Sequence, residues 1–226
     1  VKNPEISSKL EAHYAGCFAS HGPTVQGVDW GNDTERHRAS QRRMLAVMRP
    51  GEAGTPARPS LLDVGCGYGN LYELARELSV DLDYHGIDLC ADMVASARTR
   101  HPGASWHVGD VLGFAKPRSF DYLVSNGVLT QKLDVPFPDM DRYARALVRA
   151  MFDACRCGIA FNVMTTRVNF TQPHLYYRNP VELLAWCMEE ITPCARLDHG
   201  YRAYDYTLYL YRDEIFGAPG RTGASA

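Results

Sequence analysis

The chain has 226 residues, of which 46% are hydrophobic and 22% charged. Those proportions exclude disordered, collagen-like and low-complexity classes and suit one globular α/β domain better than two. With 24 Lys and Arg against 26 Asp and Glu, the charge is too balanced for a protein whose main task is gripping a phosphate backbone.

Residues 1–59 read as an N-terminal helical cap and linker. Ser7 or Ser8 is placed to cap a helix over 9–18, and Asn32 or Asp33 to open an Arg-rich helix running to Met48. Pro50, Gly51, Gly54 and Pro56 end that helix. From Ser60 short apolar strands alternate with amphipathic helices. The strands fall at 60–64, 82–87, 104–108, 120–124 and 158–163, and the helices at 70–78, 91–100 and 139–154. A polar and aromatic insert covers 165–178. Asn179, Pro180 and Glu182 then supply an N-cap, a first helical residue and a capping-box acid. Two strands, 195–199 and 205–211, lie too close for a helical crossover and should pair antiparallel. The core is expected over 60–216 and a flexible tail over 217–226. The expected fold is α/β: a mostly parallel seven-stranded sheet, helices on both faces, an antiparallel C-terminal hairpin and a helical cap.

No stretch reaches the ~18 apolar residues of a membrane span, and no basic-then-apolar leader opens the chain. The seven cysteines, Cys17, Cys66, Cys90, Cys155, Cys157, Cys187 and Cys194, include no CxxC pair. They read as reduced thiols of a cytoplasmic protein with no metal site.

The chemistry concentrates in Asp63-Val64-Gly65-Cys66-Gly67-Tyr68-Gly69-Asn70. Here a strand ends beside an acid, alternate glycines follow, and a helix starts at once. Absent side chains let a ligand approach the backbone, and the helix N-terminus offers free N–H groups. Position 70 is Asn, so the dinucleotide fingerprint is incomplete, and no GK[ST] follows. Asp63 would repel a pyrophosphate but suits an ammonium group. Cys66 fits the loop as a small filler, and Asp121 reads as a turn acid.

This glycine segment resembles the first motif of the class I S-adenosylmethionine-dependent methyltransferases, which implies a Rossmann-like core. Tyr84-His85-Gly86-Ile87-Asp88, Trp106-His107-Val108-Gly109-Asp110-Val111 and Phe120 to Gly127 resemble the motifs that follow. The match covers about 60–163. The resemblance implies that S-adenosylmethionine is held by Asp63, Gly65, Cys66 and Gly67. Asp88 would hold the ribose, Leu89 and Met93 would lie near the adenine, Asp110 would accept from its amino group, and Val111 would pack on the ring. Asn126 would face the methionine part and the substrate. Trp30-Gly31 and the Arg-rich helix resemble a cap segment of small-molecule methyltransferases, which places Trp30 or Arg43 near the methionine carboxylate.

The implied reaction is in-line methyl transfer to a small metabolite, in specialised biosynthesis. The alternatives are aminocarboxypropyl transfer or cyclisation with the same cofactor, and a protein or RNA methyltransferase. The place after the fourth strand reads Ser125-Asn126-Gly127-Val128 without proline, unlike base-amino methyltransferases, so a nucleic-acid partner is not expected. Acceptor-side candidates are Asn126, His174 and His199 as catalytic groups, with Tyr14, Thr130, Gln131, Lys132, Asn162, Tyr176 and Tyr177 around them. Asn162, an amide inside an apolar strand, should face a ligand or a buried partner. Tyr204, Tyr206, Tyr209 and Tyr211 read as core and edge packing.

Overall fold

The computed structural model describes residues 4–49, 56–114, 116–201 and 204–212. The tail expected over 217–226 lies outside them. The cap opens with helix α1 (Pro4–His21), followed by α2 (Thr34–Leu45). The Asp33 side chain accepts from Arg36 N at 2.9 Å and so caps α2. The cap expected from Ser7 or Ser8 is corrected. α1 begins before them, and Ser7 Oγ instead donates to Asp110 at 3.0 Å, tying the cap to the core.

The core then runs β1 (Ser60–Val64), α3 (Asn70–Glu77), β2 (Asp83–Asp88), α4 (Ala91–Arg100), β3 (Ser105–Val108), α5 (Val111–Phe114), β4 (Phe120–Ser125) and α6 (Phe137–Ala154). It closes with β5 (Cys155–Thr165), β6 (Tyr177–Arg178), α7 (Pro180–Glu190), β7 (Ala195–Asp198) and β8 (Asp205–Tyr211). The sheet has eight strands in the order β3-β2-β1-β4-β5-β8-β7, with β6 paired to the end of β5. β8 runs antiparallel between β5 and β7; the other pairings are parallel. The eighth strand, β6, is two residues long and carries no periodicity of its own.

Both faces of the sheet are covered, which is why β1 and β4 read as continuous apolar runs. One face packs Leu62, Leu123 and Ile159 under α1, α6 and α7; the other packs Leu61, Val124 and Tyr209 under α2, α3 and α4. Asn179 caps α7 by accepting from Val181 N at 3.0 Å. Asp121 is structural, as read, but it fastens strands rather than a turn. It accepts from Ser60 N and Ser60 Oγ, both at 2.8 Å, and from Arg156 Nε at 2.7 Å. Burial alone would raise its carboxyl, yet these donors together hold it below the ordinary carboxylate value. No helix among the described residues is long and apolar enough to cross a membrane.

Candidate functional site

The site lies at the carboxyl ends of β1, β2, β3 and β4, where the strand order reverses between β1 and β4. Open α/β sheets bind ligands at this point because the connecting loops diverge there. Gly65 N and Cys66 N both donate to Ile87 O, at 2.8 and 3.1 Å, which straps the glycine loop to β2. Gly65 has φ 76°, and a Cβ there would lie 2.2 Å from Val128 Cγ2. Val128 thus leaves room only for glycine at 65, and Gly65 and Gly67 line the cavity.

Asp88 ends β2 and organises two loops at once. Its Oδ2 accepts from Gly67 N at 2.8 Å and its Oδ1 from Cys90 N at 2.9 Å. Asp88 is therefore both a helix-entry acceptor and a cavity wall. Burial raises its carboxyl, opposed by these backbone donors. Asp63, 3% exposed, sits beneath the loop and accepts from Tyr84 Oη at 2.5 Å. Burial pushes its carboxyl up to about 7. Asp110 Oδ1 accepts from Leu112 N at 2.9 Å and so shapes the entry to α5.

β4 delivers Asn126, whose Oδ1 accepts from Ser40 Oγ of α2 at 2.6 Å. Asn162 does not face the cavity. It accepts from Gly127 N at 2.7 Å and donates to Asp205 Oδ2 at 2.6 Å. It is thus the buried partner that holds the 126–127 turn.

These elements enclose one cavity. Trp30, Asp63, Gly65, Cys66, Gly67, Asp88, Leu89, Met93, Asp110, Val111 and Asn126 all line it, together with Tyr14 of α1. Arg43 does not. Its guanidinium packs 3.8 Å from the Tyr201 ring and 3.3 Å from Asp198 Oδ2. The reason is angular. His37 and Gln41, one turn apart on α2, line the cavity, and Arg43 is two positions on from Gln41, roughly 200° round the helix. Sequence reading missed His37 and Gln41 because the arginines dominate this helix. Their spacing with Met44, all three buried, was the available signal. His37 lies against Trp30 at 4.8 Å between ring centroids. Burial lowers its pKa to about 4, so it stays neutral at physiological pH.

The two histidines expected as catalytic groups are also absent from the cavity lining. His174 is exposed in the insert, where its carbonyl accepts from Lys132 N and Leu133 N at 2.8 and 2.9 Å. His199 stands edge-on to Tyr206 at 5.7 Å in the β7–β8 turn. Neither lines the cavity. Tyr176 is buried, with its hydroxyl on Asp141 at 2.6 Å. Tyr177 accepts from Gln172 N at 3.1 Å, and Lys132 donates to Leu133 O and Val135 O, both at 3.3 Å. These three are engaged in structure.

A second cavity adjoins the first and shares Tyr14, Val28, Trp30 and Gly127 with it. Asp29, Arg36, Thr130, Met164, Tyr204 and Asp205 complete its walls. Tyr204 is 47% exposed and belongs to this opening, whereas Tyr206, Tyr209 and Tyr211 are buried packing as read. His13, Cys17 and Asp29 gather within 4.8 Å of one another beside it. His13 Nε2 and Gln131 Nε2 contact Asp29 Oδ2 at 2.9 and 2.6 Å.

Residues 61–154 match a family model described as a methyltransferase domain. Rv1506c of Mycobacterium tuberculosis, a methyltransferase by name only, is 28% identical over 153 residues, 67% of this chain and 92% of that protein. The dTDP-3-amino-3,4,6-trideoxy-alpha-D-glucopyranose N,N-dimethyltransferase of Streptomyces venezuelae is 42% identical over 72 residues, 31% of this chain and 29% of that protein. The trans-aconitate 2-methyltransferase of Acidovorax ebreus is 31% identical over 101 residues, 45% of this chain and 39% of that protein. These last two matches thus span well under half of their proteins. Among solved structures, the DhpI–SAH complex superposes with a TM-score of 0.56 and 18% identity, over 93% of this chain and 98% of that one. At that identity the likeness establishes the fold.

Proposed function

We propose that this chain, which belongs to the class I S-adenosylmethionine-dependent methyltransferases, transfers a methyl group to a small-molecule acceptor. The observation that supports this most is Asp88. It lines the cavity beside the bare backbone of Gly65 and Gly67, and each of its oxygens accepts one backbone N–H. Each oxygen keeps a lone pair for a ribose hydroxyl. When bound, S-adenosylmethionine supplies an already activated methyl on a positive sulfur.

The work left to the protein is placement. Asp88 and the 65–69 loop hold the nucleoside. Leu89, Met93 and Val111 provide its apolar walls, with Asp110 at the edge. Asp63 receives the ammonium group, and Asn126, fixed by Ser40, orients the reacting end. Residues 1–59 act as the cap over the 60–216 core: α1 and α2 contribute Tyr14, His37 and Gln41, which exclude water. Holding an acceptor ~3 Å from the methyl carbon accounts for most of the rate. The second cavity opens beside Asn126 at Gly127 and is the acceptor's place. The aminosugar and aconitate relatives support a small-metabolite acceptor, for which we propose a role in specialised biosynthesis.

Analysis of the nucleoside by-product by mass spectrometry tests the reaction class. Methyl transfer leaves S-adenosylhomocysteine. Accumulation of methylthioadenosine would instead establish transfer or cyclisation of the aminocarboxypropyl arm.

The buried Asp63 makes binding pH-dependent. Its pKa is raised to about 7, so it is charged above that value and neutral below it. Affinity for an ammonium-bearing nucleoside should therefore fall as pH drops from about 8 to about 6, approaching tenfold per unit at the acid end. Titrations of S-adenosylhomocysteine across that range check this. Asp63→Asn should flatten the profile, and a wild-type profile that is already flat contradicts the ammonium role.

A further inference from the structure

The second cavity carries an unusual charge balance for an acceptor site. Asp205 opens β8 and is only 6% exposed. Its Oδ2 accepts from Asn162 Nδ2 at 2.6 Å. Asp29 lines the same cavity, with its backbone in the left-handed region, φ 59°. His13 and Gln131 hold its Oδ2. The one cation among the cavity's described walls is Arg36, and its guanidinium lies 5.6 Å from the centroid of the half-exposed Tyr204 ring. Two carboxylates against one guanidinium favour a positively charged guest and oppose an anionic one. Thr130 and Met164 also line the cavity. Tyr204 meets Phe170 of the insert at 5.8 Å, which gives the mouth an aromatic edge.

We propose that this cavity takes an amine acceptor, its nitrogen seated between Asp205 and Asp29 and its apolar body against Tyr204, with Asp205 as the group that accepts the nitrogen's proton. The inference rests on the methyl-transfer reading and adds the acceptor's chemistry to it. An amine enters as an ammonium ion and cannot attack until it loses a proton. Asp205 takes that proton. The freed lone pair forms a bond to the methyl carbon while the carbon–sulfur bond breaks, and its electron pair stays on sulfur, which becomes neutral. The positive charge passes to the methylated nitrogen beside the two carboxylates. Burial raises the Asp205 carboxyl above its ordinary value, partly opposed by Asn162 and Arg36, so its basicity suits the task. Asn162 fastens both Asp205 and the Gly127 turn. A single amide therefore sets the acceptor wall relative to the cofactor loop.

The experiment is a binding comparison on the wild-type protein saturated with S-adenosylhomocysteine. The probes are benzylamine, benzyl alcohol and benzoate, followed by calorimetry or NMR shifts. Benzylamine should bind in the millimolar range and at least about tenfold more tightly than either isostere. Asp205→Asn and Asp29→Asn should each weaken benzylamine by about tenfold while the S-adenosylhomocysteine affinity stays within about twofold. The second substitution guards against a folding defect in the first, because Asp29 lies outside the core. Benzoate or benzyl alcohol binding as well as benzylamine, or no benzylamine binding, overturns the proposal. If S-adenosylhomocysteine itself does not bind to wild type, the underlying methyltransferase reading has failed instead.

Discussion

Asp88→Ala should weaken S-adenosylhomocysteine binding by roughly 100-fold, about 3 kcal/mol, through loss of a charged acceptor for two ribose hydroxyls. The effect is large because the same carboxylate also orders the protein. Without it Gly67 N and Cys90 N lose their partners, and both the glycine loop and the entry to α4 loosen. Asp88→Asn keeps one oxygen acceptor and should fall between Ala and wild type. Titration calorimetry on protein with an unchanged circular dichroism spectrum reads the difference. A dissociation constant equal to wild type would show that Asp88 is only a helix-entry residue.

The second large effect is on stability. Gly69 is the N-cap of α3, with φ 91°. A Cβ there would stand 2.7 Å from Trp106 Cη2 and 2.8 Å from His101 Cδ2. Neither ring has room to retreat. Trp106 is 6% exposed and His101 7%, and Trp106 Nε1 donates to His101 O at 2.9 Å. Gly69→Ala therefore combines a disfavoured backbone with overpacking, at a cost of about 3 kcal/mol. For a chain of this length that lowers Tm by roughly 6–12 °C. Gly16→Ala is the matched control: it lies within α1 with nothing within 4 Å of its Cβ, and should be neutral or slightly stabilising. Equal melting temperatures for the Gly69 and Gly16 variants would contradict the packing account.

The contrast between these two glycines shows what sequence can disclose. The 65–69 loop, Asp88 and Asp110 were legible because strand, turn and helix entry follow one another within a few residues. Local backbone chemistry is written locally. The same holds for Asn179 capping α7 and for the alternation along β8. What sequence did not disclose is which way a helix faces once it packs. α2 reads as an arginine helix, and Arg43 was the natural candidate for a carboxylate. Docking onto the sheet turned His37 and Gln41 inward and left Arg43 on Tyr201. Asn162 was recognised as an anomalous amide, but its partners Gly127 and Asp205 lie far off along the chain. The second cavity is the extreme case. Tyr14, Asp29, Thr130 and Asp205 come from separate elements, so no periodicity or spacing announces it.

His174 and His199 lie outside the cavity lining for the same reason. A histidine in a polar insert or near a turn is chemically plausible anywhere. Only the fold decides whether its ring reaches the chemistry, and both rings lie away from the cavity.

The adenosyl cofactor is proposed to sit in the cavity lined by Gly65, Gly67 and Asp88. Calorimetric titration of the folded wild-type protein with S-adenosylhomocysteine tests it most directly. A single saturable site is expected, with its heat largely abolished in Asp88→Ala. A flat titration with protein of native circular dichroism would contradict it.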